Sequence, residues 1–206
     1  MTRPIPFPVL AAALAVLLAG CSTEPSRFYH LSSAAMTAAP ASSSPAPGSA
    51  SGPAAQARRV VGVETVNVPG YLDRPEIVLR AAGSRLVVKE FDRWGGPLDE
   101  MVTRALEKDL EAALPDMEVV SLPLTRDVPL TQAVEVTLDR FDASEDGPAV
   151  LEARWRVFDR NGERLKRMGR TAVQETVATP GDPGAVADAL SRTLARLAAD
   201  IASGLR

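Results

Sequence analysis

The chain of 206 residues holds one cysteine and one histidine. A single cysteine excludes an internal disulfide framework and a cysteine-based zinc site. A single histidine excludes a multi-histidine metal site. Positive charge is not in excess, with 23 Lys+Arg against 26 Asp+Glu. Arg3 is the only charged residue before Cys21, so the chain from Cys21 onward carries a net −4. Nucleic-acid binding draws on phosphate neutralisation by Lys and Arg, and this balance argues against it. Aromatic residues make up only 4% of the chain, so any clustering of them is informative. What remains, 46% apolar and 24% charged residues, fits one folded globular domain with tails.

Val9–Leu18 is apolar throughout and follows the basic residue Arg3. Ten residues fall short of the ~20 that a transmembrane helix needs, and they suit the core of a signal peptide. The segment closes on Leu18-Ala19-Gly20-Cys21. This resembles the bacterial lipobox, in which small residues admit a signal peptidase before a cysteine. The thiol takes a diacylglyceryl group, and the new amino end is acylated after cleavage. One acyl chain binds membranes marginally and several anchor stably. Residues 1–20 are therefore read as a lipoprotein signal peptide, and Cys21 as the lipidation site. Ser22 is not an aspartate, which by resemblance to lipoprotein sorting rules favours the outer membrane. No later stretch approaches the length of a transmembrane helix, so the expectation is a periplasmic domain held by its N-terminal lipid, palmitate included.

Arg27-Phe28-Tyr29-His30-Leu31 is too aromatic for a tether and reads as a short strand inside residues 21–33. Residues 34–57 are uncharged and rich in Ala, Ser and Pro. They bury too little apolar surface to offset their ordering entropy, so 34–58 is read as a linker and 59–206 as the domain. Within the domain, Val60–Val68, Glu76–Arg80, Arg85–Lys89 and Glu118–Leu122 read as strands. Val134, Val136 and Leu138 alternate with polar residues, as do Leu151, Ala153, Trp155 and Val157. Asn161-Gly162 is a two-residue hairpin signal leading into 163–177.

Two stripes at helical spacing follow. Pro97 suits the first position of a helix carrying Leu98, Met101, Val102, Ala105, Leu106 and Leu110, with Pro115 ending it. Asp182 reads as the N-cap of a last helix carrying Val186, Ala189, Leu190, Leu194, Leu197 and Ile201. Together these predict an α+β fold: a mixed, mainly antiparallel sheet with two amphipathic helices packed on one face.

Catalytic constellations are scarce. His30 would be the base of any Ser-His pair, and it sits before the linker, a poor place to hold a base in reach. There is no Gly-x-Ser-x-Gly elbow or phosphate loop. Pro97 denies Gly95-Gly96 the next backbone N–H, and Asp92 with Asp99 reads as solvated charge. The expectation is a protein that is not an enzyme and needs no metal or cofactor. Two segments depart from core patterning and read as loops. Pro69-Gly70-Tyr71-Leu72-Asp73-Arg74-Pro75 sets two large apolar groups beside an ion pair, and Phe91-Asp92-Arg93-Trp94 leads into Gly95-Gly96-Pro97-Leu98. One reading makes Tyr71, Leu72 and Trp94 caps of the sheet. The other makes them contact residues, because Tyr, Trp and Arg dominate protein–protein interfaces.

These segments resemble the ABC-type transport auxiliary lipoprotein family, of the PqiC or YmbA type. A lipobox is followed there by a Tyr-x-Leu strand, matched by Tyr29-His30-Leu31. The Pro-x-Tyr-Leu-Asp-Arg-Pro loop is matched at Pro69–Pro75, and Phe-x-x-Trp-x-x-Pro-Leu at Phe91–Leu98. The run at 34–57 departs from the pattern in its length and its Ala/Ser/Pro content. The resemblance implies an outer-membrane, non-enzymatic auxiliary component of an MCE-type ABC transporter that moves lipids and maintains envelope integrity. Tyr71, Leu72, Asp73, Arg74 and Trp94 would then meet an MCE-type periplasmic protein, or neighbouring copies in a homo-oligomeric ring. The alternatives are a lipoprotein binding a small apolar ligand or lipid in its own fold, near Trp155 and Phe158, and a structural envelope assembly factor.

The lipobox reading makes a direct prediction. Cys21→Ser replaces the thiol by a hydroxyl that cannot accept the diacylglyceryl group, so the protein should lose palmitate labelling and leave the outer-membrane fraction. Retention of both would remove Cys21 as the anchor.

Overall fold

Alternating apolar and polar residues build the middle of the sheet. In the computed structural model, residues 24–33, 59–123, 129–160 and 162–206 are described. Cys21, the signal peptide, the linker at 34–58 and Asn161 lie outside them. The strands are β1 (Arg27–Tyr29), β2 (Arg59–Val63), β3 (Glu76–Arg80), β4 (Leu86–Trp94), β5 (Met117–Ser121), β6 (Gln132–Ser144), β7 (Ala149–Asp159) and β8 (Leu165–Glu175). The helices are α1 (Leu98–Ala113) and α2 (Pro183–Leu205). All eight strands form one mixed sheet, and its two longest ladders, β6–β7 and β7–β8, are antiparallel.

β6 is the spine. Along one side it pairs with β7 over nearly its whole length. Along the other it pairs with β2 at Gln132–Val134 and with β3 at Ala143 and Ser144, both parallel. The stretch between β2 and β3 therefore lies beside the middle of β6. The predicted strand over Val60–Val68 ends at Val63 and resumes only as a bridge of Asn67 to Thr137. Between these pairings, Glu64, Thr65 and Val66 stand opposite Glu135 and Val136 of β6. An extra residue on one strand is a bulge. It lets Val66 turn its N–H to Thr103 Oγ1 of α1, 2.9 Å away.

The helices cover one face. The alternation along β7 makes this plain: Leu151, Ala153, Trp155 and Val157 are buried, while Glu152, Arg154 and Arg156 are exposed. α2 packs on β7 and β8 and against α1, and α1 packs against β5. Every predicted stripe residue of α2 is buried. Its N-cap is Asp182, whose side chain accepts from Ala185 N at 2.7 Å, a cap worth ~1 kcal/mol. Pro97 stands one position earlier than predicted, as the N-cap of α1, with its carbonyl accepting from Met101 N.

Three sequence expectations need correction. Phe91–Trp94 is not loop but the end of β4, held by β1 on one side and by β3 on the other through Arg93. Asp92 is not solvated charge but 5% exposed. The β7–β8 hairpin closes through Asp159 N to Arg164 O, a four-residue loop in place of the two-residue turn that Asn161-Gly162 suggested.

Two buried carboxylates tie remote segments into this sheet. Asp92 on β4 receives Arg27 through Nε at 2.8 Å and Nη2 at 3.2 Å, and the Tyr29 hydroxyl at 2.9 Å. Asp142 on β6 receives the Tyr71 hydroxyl at 2.8 Å, Arg80 Nη2 at 2.7 Å and Arg140 Nε at 2.9 Å. The Arg80 guanidinium also lies over the Tyr71 ring, 5.7 Å from its centre. Burial pushes the Asp142 carboxyl up, but the bonds from Arg80, Tyr71 and Arg140 outweigh it and hold the group below the usual carboxylate range. Burial, then the bond to Asp142, pushes the Tyr71 hydroxyl up to about 12.

The sign of the linkage follows. A carboxyl depressed on folding stabilises above its unfolded value, ~3.9, and that contribution is lost as pH falls through the folded value. Asp142→Asn keeps the volume and removes the charge shared by two guanidiniums and a phenol. Losing charge-assisted bonds at a buried group costs roughly 2–3 kcal/mol. Urea unfolding should show that loss near neutral pH, and a shallower decline of stability below pH ~4 than in the parent. Equal stability with an unchanged acid limb would mean that Asp142 ties nothing together.

Candidate functional site

The two motif segments meet. Trp94 N donates to Pro75 O at 2.7 Å, joining the end of β4 to the end of the Pro69–Pro75 loop. Gly95 N donates to Tyr29 O at 2.8 Å, which brings the N-terminal strand to the same place. The His30 imidazole lies over Gly95, where a Cβ would push it aside. Between the segments lies a cleft of about 410 Å³. Val68, Leu72, Trp94, Pro97 and Leu98 give it apolar walls, and Asp73, Arg74 and Asp99 give it charged ones.

The five residues singled out in the sequence divide by environment. Leu72 and Trp94 are core side chains, 3% and 5% exposed, and show the cleft only their edges. Tyr71 is half-buried in the short 3-10 turn Gly70–Leu72 and points its hydroxyl at Asp142, away from the cleft lining. Asp73 and Arg74 are exposed on the rim. They do not pair with each other: Arg74 Nε meets Glu76 Oε2 at 3.2 Å, and Arg93 shares Glu76 at 3.7 Å. The turn is fixed by Leu72 N to Pro69 O and Asp73 N to Gly70 O. The rim charges thus stand on a backbone held from below by Leu72 and from behind by Tyr71.

Sequence reasoning did not count Asp99 as a site residue, yet it brings a carboxylate in the first turn of α1 to the same cleft as Arg74. The acid-rich first turn, where the helix dipole favours negative charge, was the available signal. Chemically, the cleft offers an apolar floor with both signs of charge at its lip. That combination suits a peptide segment better than a bulk lipid tail, which would leave Asp73, Arg74 and Asp99 unmatched.

Trp155 is a buried side chain, 7% exposed. A Cβ at Gly169 would collide with the indole, which packs against that backbone and donates Nε1–H to Thr171 Oγ1 at 3.3 Å. A groove of about 540 Å³ opens beside it on the sheet, lined by Glu135, Arg154, Trp155, Arg156, Met168 and Arg170. Phe158 does not line it and instead sits under the Arg156 guanidinium, 5.8 Å from the ring centre. Among the described residues no helix is long and apolar enough to cross a membrane.

The chain is similar to the intermembrane transport lipoprotein PqiC of Escherichia coli K12, 29% identical over 114 residues, which is 55% of this chain and 59% of the relative. The match to PqiC of Shigella flexneri has the same extent and identity. The chain therefore matches under two thirds of these relatives' length. Among solved structures, an uncharacterized protein superposes with a TM-score of 0.69 at 22% identity, covering 89% of this chain and all of that one. A protein of Xanthomonas campestris superposes with a TM-score of 0.60 at 16% identity, covering 72% of this chain and 85% of that one. These two share the fold. The family described as ABC-type transport auxiliary lipoprotein component matches residues 32–202, and the chain belongs to that family.

Proposed function

We propose that the protein is a non-enzymatic auxiliary component of an MCE-type ABC transport system that moves lipids between the two membranes of the envelope. Acylated Cys21 anchors it in the outer membrane, on the periplasmic side. The cleft between Leu72 and Leu98 receives a segment of the MCE-type periplasmic partner, with neighbouring copies of the chain as the other candidate occupant. Family membership supports the transport role, and the relative's description as an intermembrane transport lipoprotein supports the setting. One observation carries the site. Two segments on either side of the β3–β4 hairpin, each unlike ordinary core, line one cleft and bring Arg74, Asp73 and Asp99 to its lip. Buried Arg–carboxylate contacts across an interface carry more energy than the same pairs exposed to water.

The test pairs stability with affinity on Asp73→Ala/Arg74→Ala. Removing the exposed Arg74–Glu76 pair costs only ~0–1 kcal/mol, and Glu76 keeps Arg93. The unfolding midpoint should barely move. Loss of a desolvated interface Arg costs ~2 kcal/mol or more, roughly a thirtyfold weaker Kd for the periplasmic domain of the partner. A lower midpoint with unchanged Kd would make the loop structural and withdraw these residues.

A further inference from the structure

β8 is an open edge of the sheet. Among the described residues it pairs with β7 on one side and with no strand on the other. A register shift near Phe158 leaves Lys166 without a cross-strand partner. Beyond it, nine consecutive pairs run unbroken from Arg167 to Glu175. An antiparallel ladder uses the backbone groups of alternate residues, so the remaining N–H and C=O groups of this stretch point to the open side. No proline, the residue that would blunt such an edge, interrupts the strand.

The charge along this edge has one sign. Residues 164–170 carry Arg164, Lys166, Arg167 and Arg170 and no acid, in a chain of net charge −3. All four are exposed. Among the described residues none of them forms an ion pair with a carboxylate, whereas Arg154 and Arg156 on β7 meet Asp139 and Glu135. Glu175, at the far end of β8, is held by Arg192 and Arg196 of α2. Leu165 and Met168 lie among the cations and are 45% and 70% exposed. Met168 stands beside Arg156 and Arg170 beside Arg154, so both belong to the face that the helices leave open. Edge cations alone guard against aggregation. A guard gains nothing from two bare apolar side chains, whereas a docked strand would cover them.

We propose that β8 takes up an extended acidic segment of another protein as an added strand, with acids against Arg167 and Arg170 and an apolar residue against Met168. Main-chain bonds along the open side supply affinity in this mode of recognition, and the side chains supply choice. Charge selects the occupant. The run at 34–57 is uncharged and has no acid to offer, and the same edge of a second copy carries the same sign. β8 lies four strand spacings from β4, whose end carries the cleft, or ~19 Å. An occupant of the cleft therefore leaves this edge open.

Fluorescently labelled peptides test this on the full-length chain in detergent. One is Thr-Glu-Val-Val-Glu-Val-Thr, with its acids at the spacing of Arg167 and Arg170. A second has Lys in place of both Glu. A third has Pro in place of the two adjacent Val, which keeps the charge and removes two backbone donors. Expected is saturable binding of the first peptide alone, with slowed hydrogen exchange of backbone amides in 167–175 and unchanged exchange in 70–74 and 95–101. Arg167→Glu/Arg170→Glu should bind that peptide roughly tenfold more weakly and take up the Lys peptide instead, at an unchanged unfolding midpoint. Equal binding of the Pro peptide would reduce the edge to diffuse charge and overturn strand addition. Equal binding of the Lys peptide, no binding at all, or an unaltered Kd in the variant would overturn the acidic partner. Protection of 167–175 that rises with protein concentration, with no peptide present, would assign the edge to a second copy and overturn it as well.

Discussion

A carboxylate without solvent has to find its compensation inside the protein, and Asp142 does so from three directions. It lies on β6, the strand that both halves of the sheet share. Its partners are a neighbour on the same strand, Arg140, a residue of β3, Arg80, and Tyr71 of the loop before β3. An uncompensated charge at this depth would cost several kcal/mol. The requirement runs both ways. The loop can interrupt the edge of β6 because Tyr71 is held, and Asp142 can be buried because the loop supplies a donor. The cleft inherits its shape from this tie, since Leu72, Asp73 and Arg74 follow Tyr71 directly.

Asp92 repeats the arrangement at the edge of the sheet. A bidentate Arg27 and the Tyr29 hydroxyl compensate it, and both come from a three-residue strand that could not stand alone. Such a strand contributes few backbone bonds, so the side-chain clamp decides whether it stays. Its retention has a mechanical consequence. The folded unit begins at β1, and residues 34–58 follow that strand in the chain instead of preceding the whole sheet.

Much of this was legible in the residues. The alternation of Val134, Val136 and Leu138, and of Leu151 to Val157, reports a half-buried sheet directly, and both helical stripes are where their spacing puts them. The segments that read ambiguously were those whose partners are remote. Phe91–Trp94 looked like loop because Asp92 and Arg93 interrupt an apolar pattern just before Gly95-Gly96-Pro97. Its inward carboxylate makes sense only with Arg27, 65 residues away. Tyr71 and Trp94 read equally as sheet caps or as contacts, and the structure uses Tyr71 for a bond 71 residues away. Local pattern cannot carry such information. That the two odd segments line one cleft was likewise invisible from spacing, although their shared departure from core patterning was not.

Docking of the periplasmic partner in the cleft between the Pro69–Pro75 loop and the start of α1 is the central claim. Hydrogen–deuterium exchange on the acylated chain, with and without the soluble domain of the MCE-type protein, tests it most directly. Docking there predicts slowed exchange of backbone amides in residues 70–74 and 95–101 on adding the partner, with the outer face of β7 and β8 unchanged. Protection confined to β7 and β8, with the cleft segments exchanging as before, would contradict it.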